Sequence, residues 1–293
     1  MATTAIEGSH PLRPIGVELR GIHHAYGKGI HAKTILDDCS LSFEPGKLTV
    51  VVGPSGCGKS TLVKLIAGFE RPTRGAVLVD GAGVKGPGPD RLVVFQETAL
   101  FAWMSTRDNI MFGPKARGEP ARSIRERARR IADTVGLTAF GSKFPSQLSG
   151  GMQRRAELAR ALINEPPVML LDEPFRGLDA MTKTLMQEYF LHLFESAPRT
   201  CIFVTSDIDE AILLADRLFV MTNRPCRLAA QFEVDLARPR SIRQVFENDA
   251  ANDVKFKALE VLHAEAMKSF AAGSRAAGDF LQAYALRASR TSE

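Results

Sequence analysis

Residues 47–68 read KLTVVVGPSGCGKSTLVKLIAG, and this stretch decides the architecture. Its first part, LTVVV, is apolar without alternation, the pattern of a strand covered on both faces. Gly53-Pro54-Ser55-Gly56-Cys57-Gly58-Lys59-Ser60 then fits GxxxxGK[ST]. A helix opens near Lys59, runs through Thr61 and stops at Gly68, a good C-terminal signal. Glycines at these spacings let main-chain N–H groups converge on phosphate oxygens, and the positive end of the helix adds to the field. Lys59 is expected to reach the β- and γ-phosphates of ATP, and the Ser60 hydroxyl to ligate Mg²⁺.

Outward from this loop, VELRGIHHAY (17–26) and ILDDCSLSFEPG (35–46) alternate as half-solvated antiparallel strands do, with Pro45-Gly46 as the turn between them. AVLVDG (76–81) is a further strand and GPGPD (86–90) a turn. LVVFQ (92–96), PVMLLDEP (167–174) and TCIFVTSD (200–207) are buried strands, and MTKTLMQEYFLHLFESA is a helix between the last two. RLFVMTN and AAQFEVDL form a last strand pair. Buried strands alternating with helices predict an α/β fold, doubly wound on a parallel sheet. In domain terms, a flexible arm at 1–14 precedes the main α/β domain at 15–240. A helical subdomain is inserted at about 97–165, and a helical extension follows at 241–293. Within that extension, VKFKALEVLHAEAMKSF has helical apolar spacing and is expected to dock on the core or on a second copy.

Leu170-Leu171-Asp172-Glu173 ends a buried strand, which places both carboxylates beside the phosphate loop, where ligands gather in parallel sheets. Asp172 can hold Mg²⁺ through water, and Glu173 can polarise the attacking water. Leu148-Ser149-Gly150-Gly151-Met152-Gln153 introduces another helix, RRAELARAL. Ser149 fits a plain helix cap, and two glycines also leave the first N–H groups open to a phosphate. A second triphosphate cradle in one chain makes sense if it serves a neighbouring molecule.

LSGGMQ, GPSGCGKST and LLDEP together resemble the ABC transporter ATPase family over about residues 15–235. The resemblance implies a RecA-like P-loop NTPase core with an antiparallel β subdomain. It places Tyr26, otherwise an ordinary strand aromatic, where an aromatic stacks on adenine. Gln96 matches the glutamine that senses the γ-phosphate and Mg²⁺, and Leu178-Asp179 matches the loop linking two ATPase subunits. It also implies a sandwich dimer, with each ATP between residues 53–61 of one subunit and 149–153 of the other. GPGPDRLVVFQETALFAWMSTRDNI and VTSDIDEAILLADRLFVMTNRPCRL are most similar to the nitrate, sulfonate and taurine importers. There the partners are permease subunits and, through them, a periplasmic solute-binding protein. Trp103 fits either core packing or the groove that receives the permease. Four departures stand out: Thr98 and Ala102 replace prolines, PFRGLD brings Arg176 near the dimer seam, and Ser206 replaces the histidine of VTHD. That histidine contacts the γ-phosphate in the family, so Ser206 opens an alternative reading, an ATP-binding subunit with weak hydrolysis of its own. A soluble cassette protein of translation or DNA repair fits less well, since those carry tandem cassettes or a long coiled-coil insert.

The composition agrees. A net charge of +5 suits phosphates or acidic headgroups and does not call for nucleic acid. No apolar run approaches the ~20 residues that span a bilayer, and MATTAIEGSHPLRP lacks the features of a signal peptide. The expected location is the cytoplasmic face of the inner membrane, held there by a partner. Cys39, Cys57, Cys201 and Cys226 form no CxxC pair and read as reduced thiols, and His23-His24 reads as a surface pair.

Overall fold

The computed structural model describes residues 13–27, 29–196 and 199–273. All but the last two residues of the expected N-terminal arm lie outside these, as does the end of the C-terminal extension. The described residues form the strands β1 (Val17–Tyr26), β2 (Lys33–Phe43), β3 (Leu48–Val52), β4 (Arg74–Val79), β5 (Ala82–Gly83), β6 (Arg91–Val94), β7 (Val168–Asp172), β8 (Thr200–Val204), β9 (Arg217–Met221) and β10 (Leu228–Glu233). The helices are α1 (Lys59–Ala67), α2 (Thr106–Ala116), α3 (Ala121–Thr134), α4 (Gly150–Leu162), α5 (Ala180–Ser196), α6 (Ile208–Leu214), α7 (Ile242–Glu247) and α8 (Asp249–Gly273).

The larger sheet has the order β10-β9-β3-β8-β7-β6, parallel throughout except for β10, which pairs antiparallel with β9. The uniform apolarity of β3 follows from its surroundings. Leu48, Val50 and Val52 pack with Phe190, Phe203 and Leu213 on one face, while Val51 joins Leu62, Leu65 and Leu36 on the other. Both faces are therefore dry, and no alternation survives.

The smaller sheet is antiparallel, ordered β2-β1-β4-β5. Pro45-Gly46 hands the chain from this sheet to β3, not from β1 to β2, which are joined by a single 3₁₀ turn at Gly29–His31. The expected surface pair His23-His24 is divided by strand parity. His24 is buried, with Nε2 3.2 Å from the Glu70 carboxylate, whereas His23 meets Asp37 at the edge. A third core, built from Ile110, Ile124, Leu137, Ala156 and Ile163, holds α2, α3 and α4 together. Side-chain caps set the starts of α2 (Ser105), α4 (Ser149), α6 (Asp207) and α7 (Ser241). Helix α8 docks on its own core, where Ala251 and Ala258 are buried and Glu265 accepts the Asn223 N–H at 2.9 Å.

Candidate functional site

Strand register brings the motifs to one edge. Val51 pairs with Val204, Val204 with Asp172, and Leu171 with Val94. The phosphate loop, Asp172-Glu173, Thr205-Ser206 and Gln96 therefore all leave the carboxyl ends of adjacent parallel strands.

The loop itself is closed tightly: the Cys57 N–H donates to Pro54 O at 3.2 Å and the Leu62 N–H to Gly58 O at 2.9 Å. Gly58 sits at φ 139°, and a Cβ there would come within 2.9 Å of Ile35 Cγ2, so only glycine fits. Lys59 is buried, and its Nζ donates to Gly53 O at 2.8 Å and Pro54 O at 3.1 Å, which curls its ammonium over the loop. Beside it is a cavity of about 390 Å³ lined by Tyr26, Ser55, Ser60, Thr61, Gln96 and Glu173, among others. The Tyr26 ring is half exposed, and its hydroxyl is fixed by donating to Glu70 at 2.6 Å.

Asp172 is buried, with Oδ1 lacking any hydrogen-bond partner. Burial pushes its carboxyl pKa up, the Ser60 hydroxyl and the Lys59 charge pull it down, and the Glu173 charge raises it; the net shift is upward. A buried carboxylate oxygen without a donor, next to a hydroxyl, fits a cation, so Ser60 and Asp172 are the residues that would hold Mg²⁺. Glu173 has φ 44°, and its N–H is tied to Val204 O at 2.9 Å. That left-handed kink turns its side chain out of the strand line into the cavity. Ser206, in the loop that leaves β8, is exposed and lines a smaller adjoining cavity of about 200 Å³.

Ser149, Gly150, Gly151 and Asp179 are brought together elsewhere, around a separate cavity of about 630 Å³ that contains no phosphate-loop residue. Ser149 caps α4 by accepting the Met152 N–H, and Asp179 Oδ1 accepts the Thr182 N–H at 3.0 Å at the start of α5. Gln153 donates backwards to Pro145 O and Leu148 O, fixing the segment that leads into α4.

Three further residues emerge only from the structure. Arg154, buried on α4, donates to Phe95 O at 2.8 Å and to Gln96 O. It is paired with buried Glu157 at 2.6 Å, which in turn accepts the Ala99 N–H at 3.1 Å. Arg224 reaches from the β9–β10 turn to donate to Gly56 O at the phosphate loop. The signal for Arg154 and Glu157 was the i,i+3 charge pair in RRAELAR; Arg224 left none.

A strand–loop–helix phosphate cradle with a carboxylate at the end of another parallel strand, one strand removed in the same sheet, defines a P-loop NTPase. Residues 36–176 match the ABC transporter family. The chain is 45% identical over 233 residues to the nitrate import ATP-binding protein NrtD of Synechococcus elongatus, covering 78% of this chain and 84% of that one. It is 41% identical over 230 residues to the taurine import ATP-binding protein TauB of Jannaschia sp., covering 78% and 86%. A dimeric ATP-binding cassette in a post-hydrolysis state bound to ADP and Pi superposes with a TM-score of 0.65 at 26% identity, over 75% of this chain and all of the other. The chain belongs to the ATP-binding proteins of the ABC transporter family. Among the described residues no helix is long and apolar enough to cross a membrane.

Proposed function

We propose that this chain is the ATP-hydrolysing subunit of an importer for a small anion such as nitrate, a sulfonate or taurine. It works as a homodimer beneath permease subunits at the cytoplasmic face of the inner membrane, with a periplasmic solute-binding protein delivering the solute. The observation that carries this reading is the separation of two phosphate-binding elements. The P-loop cavity and the Ser149–Gly151 helix end lie apart in one chain, so a site that uses both needs two chains.

In that site the P-loop amides and Lys59 hold the phosphates, and Tyr26 offers its ring to adenine. Mg²⁺ held by Ser60 and Asp172, with Gln96 completing the set, would neutralise phosphate charge. Glu173 orients the attacking water and accepts its proton. A permease surface is supported by exposed aromatics beside the Gln96 loop. Phe69 stacks on Phe95 with centroids 6.0 Å apart, and Trp103 is 73% exposed, leaning on Phe101. Of the two readings left open for Trp103, exposure favours a partner surface over core packing.

The test is Ser149→Arg. It is expected to block ATP-driven dimerisation, read by gel filtration or light scattering, while nucleotide binding by the monomer stays intact. Weakened binding in the isolated monomer would place Ser149 at its own chain's nucleotide and overturn the two-chain site. Ser206 favours a second reading, a subunit that closes on ATP and leaves hydrolysis to a partner with the family's histidine.

A further inference from the structure

We propose that Arg176 supplies the positive charge at the ATP γ-phosphate that Ser206 cannot, and so takes over the work of the missing histidine. The proposal rests on the assignment of the P-loop and Glu173 given above. Geometry brings Arg176 to this place. Its N–H closes a turn onto Glu173 O at 3.1 Å, and Gly177 follows with φ 78°. The turn folds the side chain back, and Nη1 donates to Glu173 Oε2 at 2.9 Å.

Glu173 and Arg176 are the two residues that line both the P-loop cavity and the smaller cavity holding Ser206. The guanidinium is therefore bonded to the group that would receive water's proton and borders the cavity of Ser206, the position where the family has a cation-capable side chain. Of the other cations that line these cavities, Lys59 curls over Gly53 and Pro54 and is assigned to the β- and γ-phosphates. Arg224 is committed to Gly56 O, Lys183 is held by Asp207 at 2.8 Å, and Lys33 lines the P-loop cavity but not the cavity of Ser206. Among the described residues the Arg176 guanidinium, with five N–H donors, bonds to Glu173, and its side chain is 61% exposed, which leaves donors for a phosphate.

The reaction gives this charge its purpose. The water oxygen bonds to the γ-phosphorus as the bridging P–O bond to ADP breaks. The electron pair leaves on ADP, and Glu173 takes the water's proton. Negative charge on the transferring group calls for a cationic donor, which a guanidinium held by Glu173 supplies and a serine hydroxyl does not. From one position Arg176 orients the Glu173 carboxylate and faces the equatorial phosphate oxygens.

The experiment compares R176A, R176K and S206H, alone and combined, in the full chain. ATP turnover is measured together with affinities for ATP and ADP by calorimetry. R176A is expected to lower kcat by roughly ten- to a hundredfold with KM changed less than about threefold. It should also shrink the preference for ATP over ADP severalfold, while R176K recovers part of both. S206H should raise the turnover of R176A by at least about tenfold more than it raises that of wild type, because arginine and histidine then serve one purpose. An unchanged or faster R176A, an unchanged ATP-to-ADP ratio, or equal S206H gains in the two backgrounds would overturn the proposal. Thermal unfolding of R176A and R176K separates a folding defect from lost chemistry, and R176K then carries the test if R176A does not fold. E173Q distinguishes the two levels. Turnover lost in E173Q but kept in R176A refutes Arg176 alone, whereas turnover kept in E173Q refutes the underlying assignment.

Discussion

Replacing Arg154 by methionine removes a buried guanidinium and keeps most of its apolar stem. In the native chain that group joins Phe95 O, Gln96 O and the Glu157 carboxylate, and both side chains of the pair are buried. Breaking one member of a buried pair costs about 3–5 kcal/mol, because the survivor is left charged and dry. Two features move this chain to the lower end. The Phe95–Gln96 segment is exposed, so its carbonyls can take up water, and Glu157 keeps the Ala99 N–H. A loss of about 3 kcal/mol would lower Tm by roughly 6–12 °C in a domain of this size. The direction of the Glu157 shift adds a pH signature. Burial already pushes its carboxyl up in spite of Arg154, and removing Arg154 pushes it further. A carboxyl raised in the folded state costs stability above that raised value and none below its unfolded value. The deficit of R154M should therefore be smallest in acid, where only the lost carbonyl contacts remain, and should grow as pH rises through the raised Glu157 range. R154M/E157L should regain part of the loss. Urea melts of wild type, R154M and the double variant at several pH values read all of this. A single variant within about 1 kcal/mol of wild type at neutral pH, or a deficit that shrinks as pH rises, would refute the reasoning.

Lys59→Ala removes the ammonium that caps the phosphate loop. ATP affinity by calorimetry should fall and transport should stop; retained affinity with normal uptake would break the P-loop assignment. Glu173→Gln should leave ATP binding, slow hydrolysis by about a hundredfold or more and accumulate the ATP-bound dimer on gel filtration. Trp103→Ala, at an exposed position, should leave Tm and the ATPase of the isolated chain near wild type. The same variant should weaken co-purification with the permease, and undiminished capture would remove Trp103 from that surface.

Legibility in the sequence tracked how local each feature is. The strand-to-helix cradle at 53–61 and the carboxylates that end β7 are contiguous, and an apolar run without alternation has one burial that suits it, so both could be placed from the string alone. Parity was harder. His23 and His24 read as one surface cluster, yet adjacent residues on a strand face opposite sides, and His24 meets Glu70 from beyond α1. Contacts between distant segments left almost no trace. Arg154 grips carbonyls 58 and 59 residues earlier, and Arg224 reaches back 168 residues to Gly56. In the string Arg154 is one charge in the helix RRAELARAL; its burial is decided by where the Gln96 loop lies. PFRGLD marked Arg176 as a departure, but its approach to Glu173 and Ser206 depends on the turn at 173–176 and on the order β8-β7 in the sheet.

These long-range contacts give α4 two attachments a short distance apart. Its first residues, capped by Ser149, present the helix end that we assign to the other subunit's nucleotide. Arg154 lies five residues beyond that cap, or about 7.5 Å of helix rise. There it is fastened to the loop that carries Gln96, and Ala99 of the same loop is held by Glu157 one turn further along. The loop then runs to Phe101, whose N–H and C=O are both held by buried Asn109 at 2.8 and 3.1 Å, and whose ring supports Trp103. No step in this series depends on an exposed ion pair, so ionic strength screens it little. Packed, hydrogen-bonded groups thus connect the helix end to the aromatic surface, with Arg154 as the joint between them. Cutting that joint leaves Lys59, Asp172 and Glu173 where they are. It separates the two attachments of α4, which is why R154M should lose stability while the P-loop keeps its nucleotide.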